Sequence, residues 1–280
     1  MRNNYYKQTT LFKENQTQKE EVKTTKINDL NLLRWKDYDE VITDSLWVFD
    51  KRDRSGSHSA GAGYWGNFVP QIPRQMMLRF TKKGDWVLDA FLGSGTTLIE
   101  CRRLGRNGIG IELNPEVVKK AEASVAKEPN SHTGGHAGHT GHTGHTGHTV
   151  TTEIITADSR TADLKPILEK HSLNQVQLLI LHPPYHDIIK FSDDDRDLSN
   201  ATTTQDFLKM FGEVVENVTP YLERGRYFAL VIGDKYSNSE WVPLGFFCMQ
   251  EVLKRGYLLK SIVVKNFEET RGKRNQKELW

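Results

Sequence analysis

The sequence predicts an α/β protein with a parallel sheet covered by helices on both faces. Three observations carry this. Short strand patterns alternate with helical ones along most of the chain, several strand patterns are apolar throughout, as strands buried on both faces must be, and a glycine-broken turn joins the first strand of the series to the helix after it. The 280 residues include 38 basic and 36 acidic side chains, a formal charge of +2. That length suits one full-sized core with an extension, and the charge neither demands nor excludes a polyanionic partner.

The elements follow in order. Residues 1 to about 26 are polar and lack apolar periodicity, as in a flexible arm or frayed helix. The mixed text from Ile27 ends in the loop KRDRSGSHSAGAG, so residues 1–63 are expected as an N-terminal extension and 64–280 as the main domain. Pro73 suits the first turn of a helix running to about Phe80, and Gly84-Asp85 turns the chain into a strand at Trp86-Val87-Leu88 that ends at Asp89. Gly93 and Gly95 break the chain before a helix over Thr96 to Leu104. Gly108 to Ile111 reads as a strand closed by Glu112, and Pro115 opens a helix carrying Val117, Val118, Ala121 and Val125.

Further strands are expected at Glu153 to Thr156, Val176 to Leu181, Tyr227 to Ile232 and Leu258 to Lys265, with helices at about Leu164 to Lys170, Thr204 to Leu222 and Pro243 to Arg255. Between His132 and Thr149 lies a tandem Gly-His-Thr repeat, which can bury almost nothing and reads as a surface loop. Its histidines have no acidic or Cys partner, and no metal site is expected. Cys101 and Cys248, the two cysteines, read as plain core thiols. With no apolar leader or bilayer-length run, the expected setting is soluble and cytoplasmic.

Two motifs carry chemistry. The first is Asp89-Ala90-Phe91-Leu92-Gly93-Ser94-Gly95-Thr96-Thr97, a strand–glycine loop–helix junction that lets backbone approach a ligand and leaves NH groups unpaired at the helix start. It lacks the GxGxxG spacing of dinucleotide folds and the lysine of a P-loop. The second is His182-Pro183-Pro184-Tyr185, at the end of the apolar run Val176 to Leu181, where open α/β sheets bind ligands.

Together these motifs resemble the DNA amino-methyltransferase family, which methylates N6 of adenine or N4 of cytosine and depends on S-adenosylmethionine. That family places Asp, Asn or Ser where this chain has His182. The resemblance implies a Rossmann-like class I methyltransferase sheet, with Asp89, Gly93, Ser94, Gly95 and Thr96 beside the methionine part of the cofactor and Phe91 packed on it. Glu112 would accept the ribose hydroxyls and Asp158 the adenine amino group. The segment from Asn67 to Pro73 resembles the one that helps enclose the methionine moiety, with Phe68 and Pro70 at the matching positions.

In the catalytic reading, acceptors at the first tetrapeptide residue and the following carbonyl grip the target amine, and Tyr185 stacks on the flipped base. His182 fills that role only with a neutral ring nitrogen, so activity is expected to fall at mildly acidic pH. His186 and Asp187 are auxiliary polar candidates, and the acidic loop Phe191 to Thr204 is a candidate cover for the substrate.

The expected partner is DNA, within a restriction-modification system that has a cognate restriction endonuclease; base contacts come either from residues 1–63 with Lys51, Arg52 and Arg54, the preferred option, or from the loop after Tyr185 or a partner chain. The polar text after Lys265 leads us to expect that the last antiparallel strand is missing, leaving a place for a second copy or a partner chain to complete the sheet. Two alternatives remain open at the level of sequence: an RNA base methyltransferase, and a catalytically degenerate, cofactor-binding subunit of a modification complex.

Overall fold

A computed structural model describes residues 26–49, 51–59, 69–132, 148–237 and 239–266. In chain order the elements are β1 (Leu46–Val48), α1 (Gln71–Phe80), β2 (Trp86–Asp89), α2 (Thr96–Leu104), β3 (Asn107–Glu112), α3 (Pro115–Ala126), β4 (Ser131–His132), β5 (His148–Thr149), β6 (Thr152–Thr156), α4 (Lys165–Lys170), β7 (Val176–Leu181), α5 (Thr204–Val218), β8 (Leu222–Leu230), β9 (Lys235–Ser237), β10 (Glu240–Val242), α6 (Leu244–Lys254) and β11 (Val264–Asn266), with short 3-10 turns between some of them.

The central sheet has five strands in the order β6-β3-β2-β7-β8, and every pair in it is parallel. Strand order reverses between β2 and β7, where an open α/β sheet binds its ligand outside the carboxyl ends of the strands. The glycine loop leaves the end of β2 and the tetrapeptide leaves the end of β7, so the topology places both motifs at that point.

The strands alternate their side chains between two cores. Trp86, Leu88, Leu179 and Leu181 pack on one face with Phe207, Phe211, Val214, Val215 and Val218 of α5. Val87, Leu178 and Ile180 pack on the other with Met77 and Leu78 of α1 and with Leu98 and Ile99 of α2. The buried positions of α5 recur at helical spacing, and its start is fixed by the Thr203 side chain, which accepts the Asp206 backbone NH at 3.1 Å. Asn114 does the same for α3 by accepting the Glu116 NH at 2.9 Å, with Pro115 in the first turn.

The structure corrects the sequence reading at one strand. The stretch Leu258 to Lys265 does not join the central sheet; only Val264–Asn266 is extended in a ladder, parallel to β1. Most of the apolar residues before it face solvent, Leu258 at 85% exposure, so the burial that would commit the run to the sheet is missing. Among the described residues β8 is therefore an edge of a five-stranded parallel sheet without an antiparallel member. The pairing of β1 with β11 also ties residues 46–48 of the expected extension to the main domain, and Trp47 and Phe49 are buried in the core beside α1.

The hairpin β9–β10 was not foreseen, and the ends of the histidine repeat meet in a two-residue antiparallel ladder, β4–β5. Residues 1–25 and 60–68 (with Phe68 and the expected 63/64 boundary), the repeat interior at 133–147, and 267–280 lie outside the described residues. Among the described residues no helix is long and apolar enough to cross a membrane.

Candidate active site

A cavity of about 320 Å³ opens at the carboxyl ends of β2, β3 and β7. That is within the range of pockets that hold small molecules and cofactors. Phe91, Gly93, Ser94 and Thr96 of the glycine loop, Glu112, Asp158 and all four residues His182 to Tyr185 line it. Sequence-distant motifs thus share one cavity.

The glycine loop is built from its own polar groups. Asp89 is buried and turned into the loop: Oδ2 accepts from the Thr97 hydroxyl at 2.5 Å and Oδ1 from the Phe91 NH at 2.9 Å. Burial pushes its carboxyl up to about 6, against those two hydrogen bonds. Asp89 therefore braces the loop rather than lining the cavity. Gly95 begins α2 with φ +90°, and a Cβ there would meet Val125 Cγ2 at 2.9 Å, so backbone conformation and space both exclude a side chain. Pro70 is buried at the start of α1, and its neighbours Val69 and Ile72 reach the cavity instead.

Glu112, at the end of β3, accepts the Gly93 NH at 3.0 Å through Oε2 and the Asn114 NH at 2.9 Å through Oε1. Burial raises its carboxyl, with those backbone donors opposing the rise. Asp158 faces the same cavity and is gripped by Arg160, whose Nη2 lies 2.7 Å from Oδ2. A carboxylate held by two backbone donors fits a pair of ribose hydroxyls, and the glycine junction leaves room for a ligand against backbone. The residues present therefore suit a nucleoside-bearing cofactor.

At the tetrapeptide, His182 Nε2 and the Tyr185 hydroxyl are 3.1 Å apart, with the two rings edge to face at 5.6 Å between centroids. Burial, reinforced by the nearby charges of Lys265 and Arg52, depresses the imidazole to about 3. A lowered imidazole is a neutral one, the form an acceptor role requires. Burial also raises the Tyr185 phenol to about 12. The Tyr185 ring rests on Gly233, where a Cβ would sit 2.7 Å from Cε2.

His186 and Asp187 play a different part from the one expected. His186 is buried at φ +54°, donates from Nε2 to the Ala201 carbonyl at 2.9 Å and accepts at Nδ1 from Lys235 Nζ at 3.1 Å, and Lys235 also pairs with Asp187. They anchor the turn after Tyr185. The acidic loop contributes Phe191, Ser192, Arg196, Asp197 and Leu198 to the cavity wall.

The sequence did not single out Lys265, which also lines the cavity, or Lys235. Lys265 arrives through the non-local pairing of β11 with β1, and Lys235 reaches His186 from a short hairpin, 49 residues along the chain. Asp53, His58 and Glu100 place ligand-type atoms within 4.8 Å of one another. His58 Nε2 is 2.6 Å from Glu100 Oε1, while Arg74 and Arg103 pair with the acids, so this cluster clamps residues 53–58 onto α1 and α2.

Strand order, glycine loop and cavity define a Rossmann-like α/β fold with a ligand cavity at its switch point. Residues 1–123 match the family model N6_N4_Mtase, described as DNA methylase. The matched span includes the glycine loop and Glu112 and stops short of Asp158 and the tetrapeptide. The chain is 41% identical over 64 residues to the Type II methyltransferase M.MjaII of Methanocaldococcus jannaschii, covering 23% of this chain and 12% of that protein. It is 39% identical over 74 residues to the Type II methyltransferase M.Cfr9I of Citrobacter freundii, covering 26% and 23%. The matches thus span less than a quarter of the length of these two curated relatives. Among solved structures, TrmN from Thermus thermophilus aligns with a TM-score of 0.40 at 14% identity, over 62% of this chain and 41% of that one. The first 123 residues are thus similar to DNA methylases, and the local matches are to Type II methyltransferases.

Proposed function

We propose that this chain methylates the exocyclic amino group of adenine (N6) or cytosine (N4) in DNA, as part of a restriction-modification system. The observation that carries the reading is the meeting of the glycine loop, Glu112, Asp158 and His182-Pro183-Pro184-Tyr185 on one cavity at the switch point of the sheet. When bound, S-adenosylmethionine supplies an electrophilic methyl group. In this reading Glu112 binds its ribose, Asp158 its adenine, and Phe91 with Gly93 to Thr96 the rest.

The chain's own contribution to transfer is positioning. An exocyclic amine is a poor nucleophile because its lone pair is delocalised into the base. Acceptors that hold its N–H bonds localise the lone pair and aim it. His182 offers one acceptor nitrogen and the Pro183 carbonyl another, while Tyr185 gives the extruded base a face to stack on. A ring that stays neutral to about pH 3 is too weak a base to take the proton. His182 therefore grips the amine, and the proton released on N-methylation goes to solvent.

A second reading, a cofactor-binding subunit without turnover, is favoured by one observation: His182 Nε2 already faces the Tyr185 hydroxyl. Incubation with methyl-labelled cofactor and duplex DNA, single-stranded DNA or tRNA separates the readings. Label in DNA is the expected outcome. Label confined to tRNA would make this an RNA enzyme, and cofactor binding without transfer would favour the second reading.

A further inference from the structure

Between β8 and α6 the chain forms the hairpin β9–β10, with Trp241 directly opposite Tyr236. The two rings are neighbours, 6.3 Å between centroids at 54°, and remain 67% (Tyr236) and 58% (Trp241) exposed. A pair of large aromatic rings presented side by side to solvent asks for a ligand more strongly than scattered apolar residues do.

The hairpin is rooted in the active site. Gly233, immediately before it, carries no side chain because the Tyr185 ring fills that space. Asp234 accepts the Trp241 indole NH at 3.1 Å through Oδ2 and the Gly245 backbone NH at 3.0 Å through Oδ1, fixing the Trp ring against the start of α6. Lys235, the first residue of β9, reaches His186 at 3.1 Å and pairs with Asp187. Consecutive Cα atoms lie about 3.8 Å apart, so Tyr236 stands one residue from a side chain that touches the turn after Tyr185. The aromatic pair is therefore on a hairpin whose first residue also braces the turn after Tyr185.

We propose that Tyr236 and Trp241 form a base-stacking platform for the nucleic acid strand that carries the target. This rests on the nucleic-acid reading given above. Extruding one base leaves its neighbours unstacked, and aromatic side chains cover such bases without regard to sequence because every base has a π face. Two rings offer far less than the roughly 800 Å² per partner of a stable protein interface, which argues against a protein occupant.

The test uses fluorescence anisotropy with a fluorescein-labelled 30-mer of mixed sequence, as single strand and as duplex, across a salt series. The double variant Tyr236→Ser/Trp241→Ser is expected to bind the single strand about tenfold or more weakly, the loss that removal of stacked bases brings. The slope of affinity against salt stays unchanged, because no phosphate contact is removed. S-adenosylmethionine affinity and far-UV circular dichroism should match the wild type, and Tyr236→Phe/Trp241→Phe should retain binding because it keeps both rings. Single-strand affinity within twofold of wild type in the Ser variant would overturn the platform, as would altered self-association with nucleic-acid binding intact. Failure of the wild type itself to bind either form of the 30-mer would instead overturn the nucleic-acid reading, and the platform with it.

Discussion

Replacing His182 with Asn should make the protein less sensitive to acid. An unfolded chain titrates its histidines near 6.5, whereas burial with Lys265 and Arg52 nearby holds His182 at about 3 in the fold. As pH falls through 6.5 the unfolded state takes up a proton that the folded ring refuses. Stability is therefore lost progressively from about pH 6.5 downward until the folded ring itself protonates near 3, and this contribution is flat above 6.5. At pH 5 the unfolded ring is protonated about 30 to 1 while the folded ring is neutral, which corresponds to a loss of about 2 kcal/mol relative to pH 7. The assay is urea denaturation of wild type and His182→Asn at pH 7 and pH 5. The other histidines are common to both proteins and cancel in the difference. Wild type should lose about 2 kcal/mol more than the variant on acidification. Equal losses would show that His182 protonates normally in the fold, and the account of it as a neutral acceptor would fail.

Other outcomes follow from the same geometry. Gly95→Ala forces a side chain into a left-handed backbone and against Val125, and should destabilise the protein by about 1–3 kcal/mol in thermal unfolding; an unchanged midpoint would contradict the tight-turn account. Glu112→Ala removes the carboxylate assigned to the ribose and should weaken S-adenosylmethionine binding by calorimetry about tenfold or more, with the secondary structure intact. Lys235→Met strands Asp187 and the His186 Nδ1 acceptor and should cost about 1–3 kcal/mol, largely restored by Lys235→Arg; equal loss in both variants would mean that the packing of the stem, not its charge, matters.

The sequence revealed the parts of this molecule whose signals are local. The runs Trp86 to Asp89 and Val176 to Leu181 are continuous apolar strands bounded by turn chemistry, and the structure has both where the pattern places them. The glycine junction and the tetrapeptide were legible for the same reason, and the parallel topology brought them together. What depended on distant pairing was not legible. The run Leu258 to Lys265 has strand composition, but its last residues pair with β1 and most of the run is solvent-facing. Lys265 reached the cavity by that route. The role of Asp89 turned on orientation: its position at a strand end suggested a cofactor contact, and its hydrogen bonds to Thr97 and Phe91 show a brace. The hairpin carrying Tyr236 and Trp241 lies in text whose short polar segments gave no period to read.

The central claim is methyl transfer to a DNA base through a neutral His182. It is tested most directly by nucleoside mass spectrometry of DNA from a modification-deficient host after incubation with S-adenosylmethionine and either wild type or His182→Ala. The account predicts N6-methyladenine or N4-methylcytosine with wild type and at least a hundredfold less (~3 kcal/mol of lost positioning) with the variant, at similar cofactor affinity. Equal product from both proteins would contradict the role of His182, and no methylated base from the wild type would contradict the claim as a whole.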